Sequence, residues 1–167
     1  MSDPTGSRPA ARRSYAEEVL EQRAAFLMGA ISNKLVSSGS AIYRRNFGIG
    51  FTEWRVMVML ALEPEVPARR ICDVVGLDKA AISRGIKALE TAGLIEPTVA
   101  TADRRSRAYV LTPAGHAAYE RILAVSREHE RRLLAGLEPQ EIPILIDMLR
   151  RMLAQMPGIE AFTPERV

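Results

Sequence analysis

The amino-acid sequence predicts a mainly α-helical fold with one small β-hairpin after its middle, and three observations support this. Apolar residues recur every three or four positions along most of the chain, a spacing that places them on one helical face. Glycine and proline interrupt this pattern where one helix should end and the next begin. Two short segments, Glu96–Val99 and Ala108–Leu111, flank an arginine-rich turn and predict the hairpin.

The size and composition indicate one globular domain. A chain of 167 residues can bury a substantial core but is too short to argue for two domains. No apolar run is long enough to span a bilayer, and the arginine-containing start lacks the apolar segment of a secretion signal, so we expect a cytoplasmic protein without a membrane partner. A single cysteine excludes an intramolecular disulfide. The net charge is only +3, but many basic residues lie in one region: Lys79, Arg84, Lys87, Arg104, Arg105 and Arg107.

The N-terminal part predicts a tail followed by one long helix. Residues 1–13 are rich in Pro, Ser, Gly and Arg without periodicity, which is typical of a disordered tail. Ser14 is the expected N-cap, with Glu17 three positions later, and the helix should run to about Phe47. The apolar stripe keeps its phase across Ser37–Ser40, so we expect no break there.

Gly48 and Gly50 should end the long helix, and Thr52 is the expected N-cap of the next one. Trp54 lies among apolar residues in that second helix and is expected in the core. Glu63–Pro67, which contains two prolines, predicts a rigid connection to the helices that follow.

The next segment predicts two helices joined by a short turn. Gly76 should end the first in a left-handed conformation, on which Ile71, Val74 and Val75 would form the apolar face. Asp78 should cap the second. The second helix buries an apolar face, and its other face carries no carboxylate between Asp78 and Glu90. That face holds small, hydroxylated and basic residues, as a helix in a DNA major groove requires: Lys79, Ala80, Ser83, Arg84 and Lys87.

The hairpin follows Gly93. Pro97 cannot donate a ladder hydrogen bond, so its strand is expected at an open sheet edge. The tip carries Asp103 and three arginines, and a guanidinium there can enter a DNA minor groove: Arg104, Arg105 and Arg107. Arg69 and Arg70, at the start of the preceding helix pair, are expected to contact phosphates at most.

This helix-turn-helix and hairpin resemble the winged helix-turn-helix of the MarR family of bacterial transcription regulators. Three motifs carry the resemblance in order: the ending Leu89, Gly93, Leu94 and Ile95, the wing pair Asp103 and Arg105, and the helix start Leu111, Thr112 and Gly115. The resemblance implies that Asp103 positions the wing and that Arg105 is its partner or enters the groove. Arg104 and Arg107 are alternatives for that second role.

After the hairpin, Thr112 should cap a helix with Pro113 at its first position, reaching to Gly136. A last helix should begin at Pro139 and be closed by Pro157 and Gly158. The apolar faces of the terminal helices exceed what the central segment can cover, which predicts a symmetric dimer, as the resemblance also implies. Beyond the tail we therefore expect a single domain over residues 14–167, with dimerisation helices at 14–47 and 113–157 and a DNA-binding lobe at 52–112.

The resemblance implies a homodimeric repressor that binds a pseudo-palindromic operator and is released by a small aromatic acid or phenol. Arg45 is the expected partner of an effector carboxylate, and His129 is either a pocket residue or a core histidine. The candidate pocket residues are Tyr43, Arg45, Phe51, Trp54 and His129. Two alternatives remain: an architectural DNA-binding protein without a ligand, and a helical module that binds another protein.

No catalytic motif accompanies these features, so we expect no enzyme. The chain contains no phosphate loop, no dinucleotide fingerprint and no G-x-S-x-G turn, and it suggests no cofactor. His116 and His129 cannot share a metal ion within one helix, because thirteen positions rotate one side chain by about 220° from the other. Cys72 follows Ile71 in a helix that should pack, so it is expected to be buried and inert.

Overall fold

The computed structural model describes residues 15–98 and 107–163, and within them eight helices and three strands. The helices are α1 Tyr15–Glu21, α2 Ala24–Phe47, α3 Phe51–Leu62, α4 Ala68–Val75, α5 Lys79–Thr91, α6 Pro113–Leu133, α7 Glu141–Leu153 and α8 Met156–Glu160. The strands are β1 Val66–Pro67, β2 Ile95–Pro97 and β3 Ala108–Leu111. This confirms the predicted mainly helical fold with a small hairpin. The chain divides into two compact units, residues 1–119 and 120–167.

The predicted long N-terminal helix is two helices, so that expectation was wrong. α1 ends at Glu21, and Arg23 has an extended backbone (φ −103°, ψ 113°) as the N-cap of α2. No glycine or proline occurs between them, and the break therefore leaves no mark in the sequence. α2 is continuous through Ser37–Ser40, as predicted. There the Ser38 hydroxyl donates a hydrogen bond to the Lys34 carbonyl one turn earlier (2.8 Å), so this polar side chain has its partner within the helix.

The turn between α2 and α3 uses two glycines. Gly48 ends α2 in the left-handed region (φ 73°), as its position predicted. The N-cap of α3 is Gly50, so the expected cap at Thr52 was wrong. Gly50 has no side chain to offer the first turn, and the Ser40 hydroxyl oxygen of α2 accepts from the Phe51 amide instead (3.3 Å). A neighbouring helix thus performs the capping that local sequence did not reveal.

The helix pair α4–α5 forms as the sequence predicts, apart from one residue. Gly76 is left-handed (φ 68°), and the Asp78 carboxylate accepts from the Ala81 amide (2.8 Å). Ile71 is fully buried, but Val74, which was expected on the same apolar face, is 48% exposed. An eight-residue helix packs only a narrow stripe, and Val74 lies beside this stripe.

The sheet contains a strand that the sequence did not predict. Its order is β1-β3-β2, with both pairs antiparallel. Val66 of β1 lies opposite Tyr109, and both side chains are buried. The expected rigid connection is therefore partly a strand, too short to show alternation. β2 is an edge strand and contains Pro97, as predicted; Pro67 ends the other edge, so both edges carry a residue that discourages further pairing.

Thr112 and Gly115 join the sheet to α6. The Thr112 hydroxyl accepts from the Gly115 amide (3.0 Å) and donates to the Gly93 carbonyl (2.7 Å). A Cβ added at Gly115 would collide with the Leu94 carbonyl oxygen. The Thr-x-x-Gly motif therefore has a physical basis, because the hydroxyl caps α6 and the glycine allows the chain after α5 to approach it closely.

In the C-terminal unit, α7 begins at Glu141, two residues after the predicted start, and the Glu141 carboxylate accepts from the Glu138 amide (2.7 Å). Pro157 and Gly158 do not close a helix, which corrects the prediction. They lie inside α8, where a proline in the first turn disturbs no intrahelical hydrogen bond. Across residues 15–98 and 107–163, no helix combines the length and the apolar character needed to cross a bilayer.

Candidate DNA-binding surface

The exposed face of α5 is the candidate site. Ile82, Gly85, Ile86 and Leu89 are buried, and α3 is the main helix packed against α5. All predicted major-groove residues are exposed on this helix: Lys79, Ala80, Ser83, Arg84 and Lys87. The structure therefore brings the predicted recognition residues together on one solvent-facing surface, called the α5 face below.

Gly85 sets how deeply α5 packs. A Cβ at this position would lie 3.2 Å from Thr52 Cγ2 and 3.8 Å from Val56 Cγ2 of α3. The close helix crossing leaves the adjacent Arg84 at the edge of the packed surface, where its side chain reaches solvent. Sequence patterning singled out Arg84 but not the glycine that positions it.

The basic side chains of the α5 face have no ionic or hydrogen-bonding partner in the described part of the chain. Within residues 15–98 and 107–163, the side chains of Lys79, Arg84 and Lys87 form no ion pair and no hydrogen bond. A cation that is not already paired can neutralise a phosphate without first breaking an internal contact.

The two arginines before the turn differ from each other. Arg69 is exposed, whereas Arg70 pairs with Glu63 at 3.4 Å, with both side chains about half exposed (52% and 50%). An exposed pair of this kind contributes about 0–1 kcal/mol, so it does not hold Arg70 strongly. Both residues remain predicted phosphate contacts.

Only the base of the wing is described. Arg107 is exposed beside β3 and hydrogen-bonds to the Tyr109 hydroxyl. Burial raises the pKa of Tyr109 above its ordinary value, Glu90 adds to the rise, and Arg107 opposes it. Asp103, Arg104 and Arg105 lie outside the described residues, so the predicted arrangement of the wing tip stays a prediction.

The predicted effector residues Tyr43, Phe51 and Trp54 form an aromatic cluster. Tyr43 and Phe51 are parallel with centroids 6.0 Å apart, and Trp54 meets Tyr43 edge-on at 6.1 Å. Tyr119, which sequence reasoning missed, stacks on Trp54 at 5.5 Å. Tyr43 and Trp54 are buried, with 1% and 5% exposed, so they serve as core here. Arg55 lies over the Phe51 ring, 4.8 Å from its centroid.

The remaining candidate residues are described one by one. Arg45 is exposed on α2, and His129 is half-buried on the part of α6 that belongs to the C-terminal unit. Cys72 is half-buried, less than expected, and its thiol is free. Across residues 15–98 and 107–163, no three His, Cys, Asp or Glu side chains come together to hold a metal ion.

A polar cleft of about 170 Å³ lies between α2, α3 and α5 and borders the α5 face. Its lining residues are Ser40, Arg44, Phe51, Thr52, Glu53, Ala81, Arg84 and Gly85. Phe51 was predicted as an effector residue and Arg84 as a DNA contact, whereas Arg44 and Glu53 were not singled out from the sequence. The predicted effector residue Arg45 does not line the cleft. The available signal was the spacing of Ser40 and Arg44, four positions apart and so on one helical face.

The α4–turn–α5 unit followed by the β2–β3 hairpin defines a winged helix-turn-helix protein with a basic recognition helix. A model of the MarR family matches residues 47–106. The HTH-type transcriptional regulator YdgJ of Bacillus subtilis is 31% identical over 117 residues, which cover 68% of this chain and 70% of the relative. The chain belongs to the MarR family of transcriptional regulators. It is a DNA-binding regulator and not an enzyme.

Two solved structures agree with this assignment. A MarR/EmrR family transcriptional regulator from Acinetobacter sp. ADP1 is 33% identical, with a TM-score of 0.77, over 83% of this chain and 98% of its own. A MarR family regulator from Silicibacter pomeroyi is 27% identical, with a TM-score of 0.71, over 92% of this chain and 100% of its own. The structural likeness thus extends well beyond the helix-turn-helix.

Proposed function

We propose that the protein is a homodimeric repressor that binds a pseudo-palindromic operator and releases it when a small aromatic acid or phenol binds. The observation that carries the proposal is the α5 face, where small, hydroxylated and basic side chains are exposed together without an acidic residue among them. Such a helix suits a major groove, because basic side chains can contact phosphates or guanine edges while alanine and serine permit close approach.

Exposed apolar surface supports the homodimer. In the single chain, α2 exposes Phe26 (44%) and Ile31 (46%), and α7 exposes Ile144 (54%) and Leu153 (70%). Apolar faces of this extent are covered in a stable soluble protein, and a second copy is the simplest cover. A two-fold axis would place two α5 helices about 34 Å apart, which is one turn of DNA.

A mobility-shift assay on the DNA upstream of the protein's own gene tests this proposal. We expect a specific shift that a member of a panel of aromatic acids reverses. Arg84→Ala should cost about 1–3 kcal/mol and relax preference at one base position if Arg84 contacts a guanine edge. Lys34→Ala, which removes an exposed cation on α2, is the matched control and should bind like the parent.

The outcomes separate the alternatives. Operator binding that no small acid or phenol reverses would favour an architectural DNA-binding protein. A monomer without salt-dependent DNA binding would favour a module that docks on another protein. An equal loss of affinity for all DNA sequences in Arg84→Ala would make Arg84 a phosphate contact.

A further inference from the structure

The polar cleft between α2, α3 and α5 contains a buried acceptor that lacks a partner. Glu53 Oε2 is shielded from solvent and accepts no hydrogen bond from any described residue. A carboxylate oxygen removed from water without a donor is costly, so native proteins rarely leave one in this state. A donor for this oxygen must therefore come from a side chain that can move or from outside the chain.

Arg44 of α2 approaches the same point as the Glu53 carboxylate. A Cβ built at Gly50 would lie 2.6 Å from Glu53 Oε2, 3.2 Å from Arg44 Nε and 3.3 Å from Arg44 Nη2. Within residues 15–98 and 107–163, Arg44 forms no ion pair and no hydrogen bond. A side-chain rotation can therefore join the guanidinium to the carboxylate, and the missing Cβ of Gly50 leaves the room for it.

Arg84 of α5 lines the cleft as well and is also exposed on the α5 face. Like Arg44, it has no ionic or hydrogen-bonding partner in the described part of the chain. A guanidinium carries five N–H donors, so it can bind a carboxylate and a second anion at once. Arg44 is exposed too, and the two arginines can thus meet an anion at the mouth of the cleft.

The cleft borders the face that should enter DNA. A helix with its side chains is about 10–12 Å across and the major groove is about 12 Å wide, so the flanks of a recognition helix lie against the sugar-phosphate strands. Arg84 and the cleft lie on one flank of α5. A strand beside the groove that receives the α5 face would therefore bring a phosphate to the mouth of the cleft.

We propose that Arg44 and Arg84 together bind one phosphate of the operator backbone, and that Glu53 is a positioning residue that orients Arg44. The inference rests on the proposed function, since it adds a contact from α2 to the α5 face. Arg44 donates to Glu53 Oε2 with one part of its guanidinium and to the phosphate with another, which supplies the missing donor. The carboxylate stays behind Arg44, because direct contact between two anions would be repulsive.

DNA titrations of the full chain at several salt concentrations test the phosphate contact. Arg44→Ala should weaken binding about fivefold or more, equally for the operator and for unrelated DNA, because a phosphate carries no sequence information. The slope of log K against log salt concentration should fall by about one for each subunit. Arg45→Ala removes the same charge from the exposed neighbour outside the cleft and should keep the parent's slope. An unchanged slope in Arg44→Ala, or an equal fall in Arg45→Ala, would overturn the proposal.

Two variants of Glu53 separate positioning from charge. Glu53→Gln and Glu53→Leu remove the same negative charge, so long-range electrostatics alone predicts equally tighter DNA binding by both. Only glutamine keeps an acceptor for Arg44. We expect the leucine variant to bind DNA several-fold more weakly than the glutamine variant, since a free guanidinium must be ordered on association. This difference should vanish in an Arg44→Ala background. Equal affinities of the two variants, or a difference that persists without Arg44, would show that Glu53 does not act through Arg44.

Gly50→Ala provides a second route to the same test. The added methyl group would displace the Glu53 carboxylate without removing it, and only the end of a flexible side chain has to move. DNA binding should again weaken several-fold, and only while Arg44 is present. Thermal melts establish which variants are folded, and Gly50→Ala decides the positioning role if the leucine variant is not. Parent-like affinity in Gly50→Ala would contradict that role.

Inorganic phosphate distinguishes the DNA backbone from the free ion as the occupant. Calorimetry without DNA should give only weak binding, in roughly the millimolar range, because a single ion lacks the remaining DNA contacts. Tight phosphate binding that requires Arg44, together with parent-like DNA affinity in Arg44→Ala, would assign the cleft to the free ion and refute the backbone contact.

The inference and the proposed function fail in different ways. If the parent binds its operator and Arg44→Ala matches it in affinity and salt slope, the regulator function stands and the phosphate contact is wrong. If the parent itself binds no DNA at low salt, the proposed function is wrong, whatever the variants do.

Discussion

Asp78 caps the N-terminus of α5, at the end nearest the α4–α5 turn. Its carboxylate accepts from the Ala81 amide at 2.8 Å and satisfies one of the open amides of the first turn of α5. Lys79 and Ala80, two of the predicted DNA contacts, lie within that turn. We therefore expect the cap to keep the first part of the α5 face ordered before DNA binds.

We expect Asp78→Ala to lower the free energy of unfolding by about 1 kcal/mol, since an amide loses its acceptor. Operator affinity should fall as well, because the first turn must then be ordered on binding. Asp78→Asn retains an acceptor and should lose much less. Asp73→Ala, which removes an exposed carboxylate of α4, is the control, and urea unfolding with DNA titration measures both effects. An Asp73→Ala loss as large as that of Asp78→Ala would contradict the capping role.

Glu128 makes a prediction about pH. Hydrogen bonds from Arg131 (2.7 Å) and Arg132 (2.6 Å) lower the pKa of Glu128 from 4.5 to about 2. Because the folded pKa lies below the unfolded one, these contacts stabilise the fold at pH above about 4.5, and the contribution is lost as the pH falls towards 2. We expect carboxyl NMR titration to give a midpoint near 2 for Glu128, which Arg131→Gln should raise. A midpoint near 4.5 in the parent would show that the pairs do not persist in solution.

Features that depend on residues close together in sequence could be predicted from the sequence. Features that depend on how separate helices pack against each other could not. The roles of Gly76 and Asp78 as helix caps could be predicted, because helix ends require particular residues within three or four positions. The sequence did not show that Arg44 rather than Arg45 lines the cleft, since adjacent helical residues point about 100° apart and only packing fixes the absolute rotation. Glu53 was missed for a similar reason, because its cleft exists only after α2, α3 and α5 meet.

Helices and strands also differ in how far the sequence predicted them. The α4–α5 pair, the hairpin and its proline edge followed from periodicity and turn residues. β1 did not, because a two-residue strand has no periodicity and pairs only when β3 is in place. The break between α1 and α2 carries no helix breaker. Elements stabilised by partners distant in sequence thus left the weakest signals.

The junction of the sheet with α6 depends on Gly115. An alanine there would press its methyl group against the Leu94 backbone carbonyl, which cannot swing away as a side chain can. We expect Gly115→Ala to cost about 1–3 kcal/mol of folding free energy through overpacking.

Gly136→Ala is the matched control for this prediction. A Cβ at Gly136 meets no atom within 4 Å, so the substitution should be neutral or slightly stabilising. Chemical denaturation of both variants measures the difference. Equal stability of the two proteins would mean that the sheet and α6 are less closely packed than the structure indicates.

For the molecule as a whole, the exposed apolar surface of α2 and α7 is the feature that supports the proposed homodimer. Periodicity alone predicted that the terminal helices carry more apolar surface than the winged segment can cover, and α2 and α7 do expose it. The sequence did not show which residues stay exposed, because that depends on how each helix is rotated. The proposed homodimer makes operator binding bivalent, so dimerisation and DNA affinity should be lost together.

Replacing Ile144 and Met148 of α7 by glutamate tests this coupling. The two side chains are 54% and 51% exposed and lie one turn apart, so the change should cost the single chain little stability. Within a dimer interface, however, two carboxylates without partners would be strongly unfavourable. We expect a monomer of normal helix content whose operator affinity is about a hundredfold lower or more, since one half-site contact replaces two.

Arg150→Glu, an exposed charge reversal on the same helix, is the control and should remain dimeric. Sedimentation equilibrium gives the oligomeric state, circular dichroism the helix content, and mobility shift the affinity. A double variant that still sediments as a dimer and binds the operator normally would place the interface away from this part of α7. A monomer with unchanged operator affinity would instead show that one copy suffices for binding, and the proposed two-fold recognition of a pseudo-palindrome would then be wrong.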